Sequence, residues 1–162
     1  MAEIKLSRGM VAIVDDCYYE ELSQHKWHVV KGNPTTWYAV RHVWISGTGK
    51  KIVVRMHREV VRLSGREVGK FVDHIDGNGL NNCDGNLRSA TAQENKRNSR
   101  VRSDSLTGIK GVAYVASKNA WRSRIFHNGR NRHLGYFQSP EAASEAYSEA
   151  AERIFGEFAR VN

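Results

Sequence analysis

The stretch from Phe71 to Asn98 constrains this chain more than any other. Phe71-Val72-Asp73-His74-Ile75 carries β-branched residues and reads as a short strand with an Asp-His pair inside it. Asp76-Gly77-Asn78-Gly79 then turns the chain, because Gly accepts positive φ and Asn and Asp accept it better than most residues. Asn86-Leu87-Arg88-Ser89-Ala90 can return as a second strand. Thr91, with Glu94 three residues on, makes a capping box for a helix that carries Asn95 and Asn98. The expectation is strand, loop, strand and helix, with His, Asp and Asn directed to one place. Neighbours on a regular strand point to opposite faces, so Asp73 and His74 share a site only where the strand ends or twists.

Four pieces in this order resemble the HNH nuclease motif, also called the ββα-metal motif. They are Asp73-His74-Ile75-Asp76-Gly77-Asn78, Leu80-Asn81-Asn82, Asn86-Leu87-Arg88 and Glu94-Asn95. The resemblance implies that His74 is the general base, that Asp73 and Asn95 hold a metal, and that Asn86 braces the loop carrying His74. The chemistry is consistent with those roles. Cleaving a phosphodiester needs a water deprotonated near neutral pH, and imidazole, with its ordinary pKa of about 6.5, suits that task. It also needs a cation on the developing charge of the leaving oxygen. A hard divalent ion takes one or two carboxylates and fills its shell with water and phosphate oxygens. The expected cofactor is therefore Mg²⁺, with Mn²⁺ as the alternative and no other small-molecule cofactor. Zinc is not expected, because Cys17 and Cys83 are too far apart for a Cys-x-x-Cys knuckle. His25 and His28 have no obvious partner ligands and read as ordinary surface or core histidines.

At 162 residues the chain makes one ordinary domain or two small ones. Two cysteines, no apolar run approaching about 20 residues and no signal-like start predict a reduced, soluble, cytoplasmic protein without membrane contact. The net charge is +8, and ten Lys/Arg against one acid between Lys96 and His133 give that segment +9. A positive field so localised suits a polyanion, and double-stranded DNA is the expected partner.

Before the motif, residues 1–55 read as short strands and turns. Ile4-Lys5-Leu6 and Met10–Val14 are broken at Arg8-Gly9, and Tyr18–Leu22 forms a short helix capped by an acid at Asp15-Asp16. Trp27–Val30, Tyr38–Trp44 and Lys51–Val54 read as β, separated by Gly-Asn-Pro and Ser-Gly-Thr-Gly turns, with Trp27, Trp37 and Trp44 as core or sheet-packing residues. This region resembles, loosely, the part that often precedes phage-type HNH motifs. Met56, Val60 and Leu63 then share one helical face ending before Gly65. His57 on that helix is either a helper of the active site or a packing residue.

After the motif, residues 99–107 are polar and basic with almost nothing to bury. This linker is either solvated and inert or runs along a phosphate backbone through Arg100 and Arg102. Residues 111–115, 120–126 and 132–137 alternate like three antiparallel strands. Trp121, Ser123 and Ile125 fall on one face of the middle strand, with Arg122, Arg124 and Phe126 on the other. Ser139 caps a helix with Pro140 first, an apolar stripe of Ala143, Tyr147, Ala150 and Ile154, and Gly156 at its end.

Residues 108–162 resemble the ethylene-response-factor (APETALA-type) DNA-binding domain. The carrying pieces are Lys110-Gly111-Val112, Trp121-x-x-x-Ile125, Leu134-Gly135-x-Phe137, Glu141-Ala142-Ala143 with Ala146-Tyr147, and Phe155–Ala159. The resemblance implies that the sheet enters the major groove, with Lys110, Lys118, Trp121, Arg122, Arg124 and Arg132 as DNA contacts. Ala113 stands where the plant domains usually carry Arg, so base preference does not transfer.

The predicted architecture is α+β. A nuclease domain spans 1–98, with its ββα-metal core at about 71–98, followed by the linker and the three-stranded, one-helix domain at 108–162. The predicted function is a site-directed DNA endonuclease of the phage homing type, working in a bacterial or phage-infected cell. The alternatives are a non-catalytic, sequence-specific DNA-binding regulator, or an HNH nuclease of restriction or packaging. Oligomeric state and target sequence are not encoded in any feature above.

Overall fold

The structure is a computed structural model that describes residues 1–33, 36–99, 101 and 105–160. Pro34 of the Gly-Asn-Pro turn and the linker residues Arg100, Arg102 and Asp104 lie outside the described residues. The chain forms two compact units, Met1–Ala92 and Gln93–Asn162, of mixed helix and strand, an α+β architecture as expected.

In the first unit β1 (Ala2–Lys5) pairs antiparallel with β2 (Val11–Val14) around a 3₁₀ turn. Arg8 and Gly9 are both left-handed there, at φ 62° and 68°. Helix α1 (Asp16–Ser23) follows, with Asp15 at its N-cap position. The expected acid cap is not made. The Asp15 carboxylate instead accepts the Asp84 amide at 2.7 Å, and Asp16 pairs with the N-terminal ammonium. Long-range demand at the motif loop overrides the local cap.

β3 (His28–Asn33), β4 (Thr36–Ile45) and β5 (Lys50–Arg55) make an antiparallel sheet in sequence order, and α2 (Met56–Leu63) leaves directly from β5. β6 (Phe71–His74) pairs antiparallel with β7 (Leu87–Ala90). One core unites these pieces. Leu22, Met56, Val60 and Val61 come from helices, Ala12, Val14 and Ala39 from strands, and Val72 and Leu87 from the β6–β7 hairpin. The hairpin is thereby docked on a framework built by residues 1–63. Each of the Leu, Met and Val side chains contributes about 1.5–3 kcal/mol through burial, so the framework can hold the hairpin rigidly.

Trp27 is core, but Trp44 corrects the packing expectation, being 68% exposed. The β4–β5 hairpin runs past the core there, and Lys51 covers the indole at 5.9 Å.

The second unit opens with α3 (Ala92–Arg97). The Arg97 guanidinium lies 4.6 Å from the centroid of the Phe155 ring, and the Lys110 ammonium donates to the Arg97 and Ser99 carbonyls. These ties bind the end of α3 to the body of the second unit. β8 (Val112–Val115), β9 (Ala120–His127) and β10 (Arg130–Phe137) form a meander with β9 central. α4 (Pro140–Phe155) packs on it through Ile125, Tyr147, Ala150, Ala151 and Phe155. Ser139 Oγ accepts the Ala142 amide at 3.1 Å, the expected cap. Ile154 is only half-buried; Ala151 and Phe155, each four residues after an expected stripe position or its neighbour on the same face, occupy the core instead. At Gly111 (φ +74°) a Cβ would strike the Tyr147 ring and the Arg124 carbonyl, so only glycine fits.

Candidate active site

The β6–β7 hairpin sets the register Asp73↔Arg88 and His74↔Leu87. Asp73 and His74 are each 5% exposed, although they are sequence neighbours on a strand. Each is covered by its own neighbours, Asp73 by Arg88 and His74 by Asn82, Tyr38 and His57. Asp73 Oδ2 accepts from Arg88 Nη2 at 2.9 Å and Nε at 3.1 Å. With Arg88 only 11% exposed, this is a buried ion pair.

His74 faces a different set of groups. Its Nε2 lies 3.3 Å from Asn82 Oδ1, and Asn82 Nδ2 donates to the Leu80 carbonyl at 3.1 Å. Asn82 is fully buried, and its own amide donates to the Ile13 carbonyl on β2 at 2.7 Å. The His57 ring stands edge-on to His74 at 5.0 Å, and Tyr38 from β4 lies 5.8 Å away. Burial pushes the His74 pKa below the ordinary imidazole value, against the Asn82 hydrogen bond and the charges of Asp76 and Asp73, which raise it. Asp73 is thus within electrostatic range of His74.

Asn86 clamps the loop between them. Its Oδ1 accepts the Asp76 amide at 3.1 Å, while Nδ2 donates to Asp76 Oδ1 at 3.0 Å and to the Asn81 carbonyl at 2.8 Å. Burial raises the Asp76 pKa, but hydrogen bonds from the Asn78 amide, Asn81 and Asn86 outweigh it and hold the carboxyl below its ordinary value. Gly77 turns the loop at φ +68°. Gly79 presses on β4 so closely that a Cβ would meet the Trp37 carbonyl and the Tyr38 ring. Arg66 adds a bond from Nη1 to the Leu87 carbonyl at 3.0 Å and an ion pair with Asp84.

Asp73, His74 and Asn86 therefore share the first unit, and Asn95 stands half-buried on α3 in the second. Among the described residues no group of three or more His, Cys, Asp and Glu side chains gathers as a metal cluster. Sequence reasoning assigned no role to Arg88, Asn82 or Tyr38. The signal for Arg88 is the hairpin register, and that for Asn82 is its place in the motif's paired amides.

His57 packs edge-on against His74. It is 6% exposed, with Nδ1 buried and without a hydrogen-bond partner among the described residues. Burial first, then His74, Arg55 and Arg58, push its pKa down to about 3. The unfolded chain protonates at the ordinary value while the folded chain does not. The stability contributed is therefore full above pH 6.5 and is lost as the pH falls toward about 3. Acidification to pH 5 should cost roughly 2 kcal/mol through this group. His57→Leu should make the fall of Tm with acid shallower; an unchanged acid slope would contradict this account.

The DNA contacts expected in the second unit divide. Arg122, Arg124 and Phe126 occupy the sheet face opposite Ile125, with Tyr136 beside Arg122 by register. Arg124, Phe126 and Tyr136 are exposed there, and Lys118 stands 4.9 Å from the Tyr136 ring. Arg132 pairs with Ile125, and Trp121 with Tyr114 and Phe137, which places both on the α4 side. Two Lys110 donors are engaged by backbone carbonyls, and burial and Arg160 lower its pKa to about 8.

Among the described residues no helix is long and apolar enough to cross a membrane. No protein-family model matches the sequence. A protein of Acanthamoeba polyphaga mimivirus, named an uncharacterized HNH endonuclease, is 32% identical over 159 residues, covering 96% of this chain and 76% of its own length. Protein 3.8 of Escherichia phage T7 is 32% identical over 92 residues, covering 57% of this chain and 75% of its own. With nearly the whole chain aligned to the first relative and the motif hairpin intact, the chain belongs to the HNH endonuclease family.

Proposed function

We propose that the chain is a metal-dependent DNA endonuclease in which His74 activates the attacking water. The observation that carries this reading is a buried imidazole, oriented by Asn82, beside a buried carboxylate on the same strand end. Because Asn82 presents its oxygen, His74 donates from Nε2, and a neutral ring then carries its lone pair on Nδ1. Nδ1 is the base. The lowered pKa keeps this ring neutral, and so able to accept a proton, at pH 7 and somewhat below it. Asn86 acts as a positioning residue through the loop that follows His74.

A hard divalent ion, Mg²⁺ or Mn²⁺, would stabilise the charge developing on the leaving oxygen. Asp73 would hold it. Its carboxylate suits such an ion, and Arg88 balances part of the Asp73 charge. Tyr38 and His57 wall the imidazole on one side and limit the water around it.

Residues 108–162 we assign as an ethylene-response-factor-type DNA-binding domain that delivers the 1–98 nuclease through the basic 99–107 linker. The basic, aromatic-bearing sheet face around Arg122, Arg124, Lys118, Phe126 and Tyr136 supports that assignment. A cutting motif joined to a separate binding domain fits the homing type. Arg122→Ala with Arg124→Ala should flatten log K against log salt by up to about 1.8, because each phosphate neutralised contributes about 0.9. An unchanged slope would remove this face from the DNA interface.

Supercoiled plasmid incubated with the full chain and Mg²⁺ should be nicked or linearised, and EDTA should stop it. Equal activity in EDTA would take the metal out of the mechanism. Binding without cutting in any divalent metal would make the chain a DNA-binding regulator.

A further inference from the structure

The first unit also contains a pocket of about 420 Å³ lined by Lys5, Ser7, Lys26, Trp27, His28 and His42, with Leu6 in its wall. None of Asp73, His74 or Asn86 borders it. Its volume is in the range of small-ligand sites. His28 pairs with Val40, which puts His42 diagonal to it on the same sheet face. Their rings stack 4.8 Å apart with 11° between planes.

Such a stack suits a metal badly, because ring nitrogens in two parallel planes cannot aim at one ion. It suits an anion well. Lys5 and Lys26 supply ammonium groups, the imidazoles supply N–H donors, and among the described residues no carboxylate lines the pocket. Ser7 Oγ accepts the Val29 amide at 3.0 Å, so its hydroxyl hydrogen is not spent on that bond. Trp27, 3% exposed, is a rigid wall. Burial, His42 and Lys51 all lower the His28 pKa, a strain that a bound anion would relieve.

We propose that this pocket binds a phosphate group of the DNA backbone, anchoring the duplex to the nuclease unit independently of the second unit. The anion chemistry follows from the pocket alone; DNA as the owner of the phosphate rests on the nuclease reading. A backbone phosphate held here fixes where the duplex meets the first unit without reading its sequence. It also gives the first unit a contact of its own, where the formal positive excess lies almost wholly after Lys96.

The test uses wild-type protein in EDTA, with full-length His74→Ala as a second preparation. The C2–H signals of His28 and His42 are followed by NMR during titration with inorganic phosphate and, separately, with a short DNA duplex. Both ligands should move the two signals, the duplex at lower concentration. Lys26→Ala with His42→Ala, both exposed positions, should weaken duplex binding several-fold and flatten its salt dependence by about 0.9, one phosphate. Movement by phosphate but not by duplex would make this a free-anion site and overturn the backbone assignment. Movement by neither, or an unchanged salt slope, would overturn the pocket. Failure of the nuclease reading would look different: a wild-type chain that binds DNA through this pocket yet never cleaves it.

Discussion

His74→Ala should slow DNA cleavage by about 10² to 10⁴-fold, the usual cost of losing a general base. DNA affinity should stay near the wild-type value, because a neutral imidazole adds no charge to a field concentrated between Lys96 and His133. The substitution also opens a hole between Tyr38, His57 and Asn82, so folding must be controlled for. His74→Gln serves that purpose, since an amide N–H can still reach Asn82 Oδ1 while offering no base. It should be as slow as the alanine variant and melt close to the wild type. Parallel loss of binding and cutting in both variants would instead make His74 structural.

Asp73→Ala should have a double effect, with cleavage lost and the fold weakened by about 3–5 kcal/mol. The second part arises because the substitution breaks the buried Asp73–Arg88 ion pair. The two effects separate in Asp73→Ala combined with Arg88→Leu. Filling the position with an apolar side chain should recover most of the lost Tm, while cleavage stays absent because no carboxylate remains to hold the ion. Chelation should silence the wild type to the same extent. A stable double variant that still cuts would mean that Asp73 serves Arg88 and nothing more.

The β6–β7 hairpin was legible because its determinants are local. β-branched residues flank a Gly-containing turn, and the Asn86 clamp joins positions only five and ten residues away. The α4 cap and the strands of the second unit were legible for the same reason. Contacts that depend on register or on distant chain could not be read. Arg88 meets Asp73 only once the strands are aligned, and no local rule chooses which of two adjacent amides turns inward. Asn81 goes to Asp76 and Asn82 to His74. Asp15 reads locally as a helix cap, yet it serves the Asp84 amide, 69 residues on. Tyr38 reaches His74 from β4, in a region whose sequence named no site residue. Lys110 reads as one more cation in a basic segment, and its backbone partners lie at the end of α3 and in the turn after it.

The central claim is that the β6 end, with His74 as base and Asp73 as metal ligand, hydrolyses DNA. The most direct test is single-turnover cleavage of supercoiled plasmid in Mg²⁺ by the wild type, His74→Gln and the Asp73→Ala/Arg88→Leu variant, with DNA binding and Tm measured on the same preparations. The account predicts cutting by the wild type alone, with all three proteins folded and bound to DNA. Cleavage at the wild-type rate by either folded variant would contradict it.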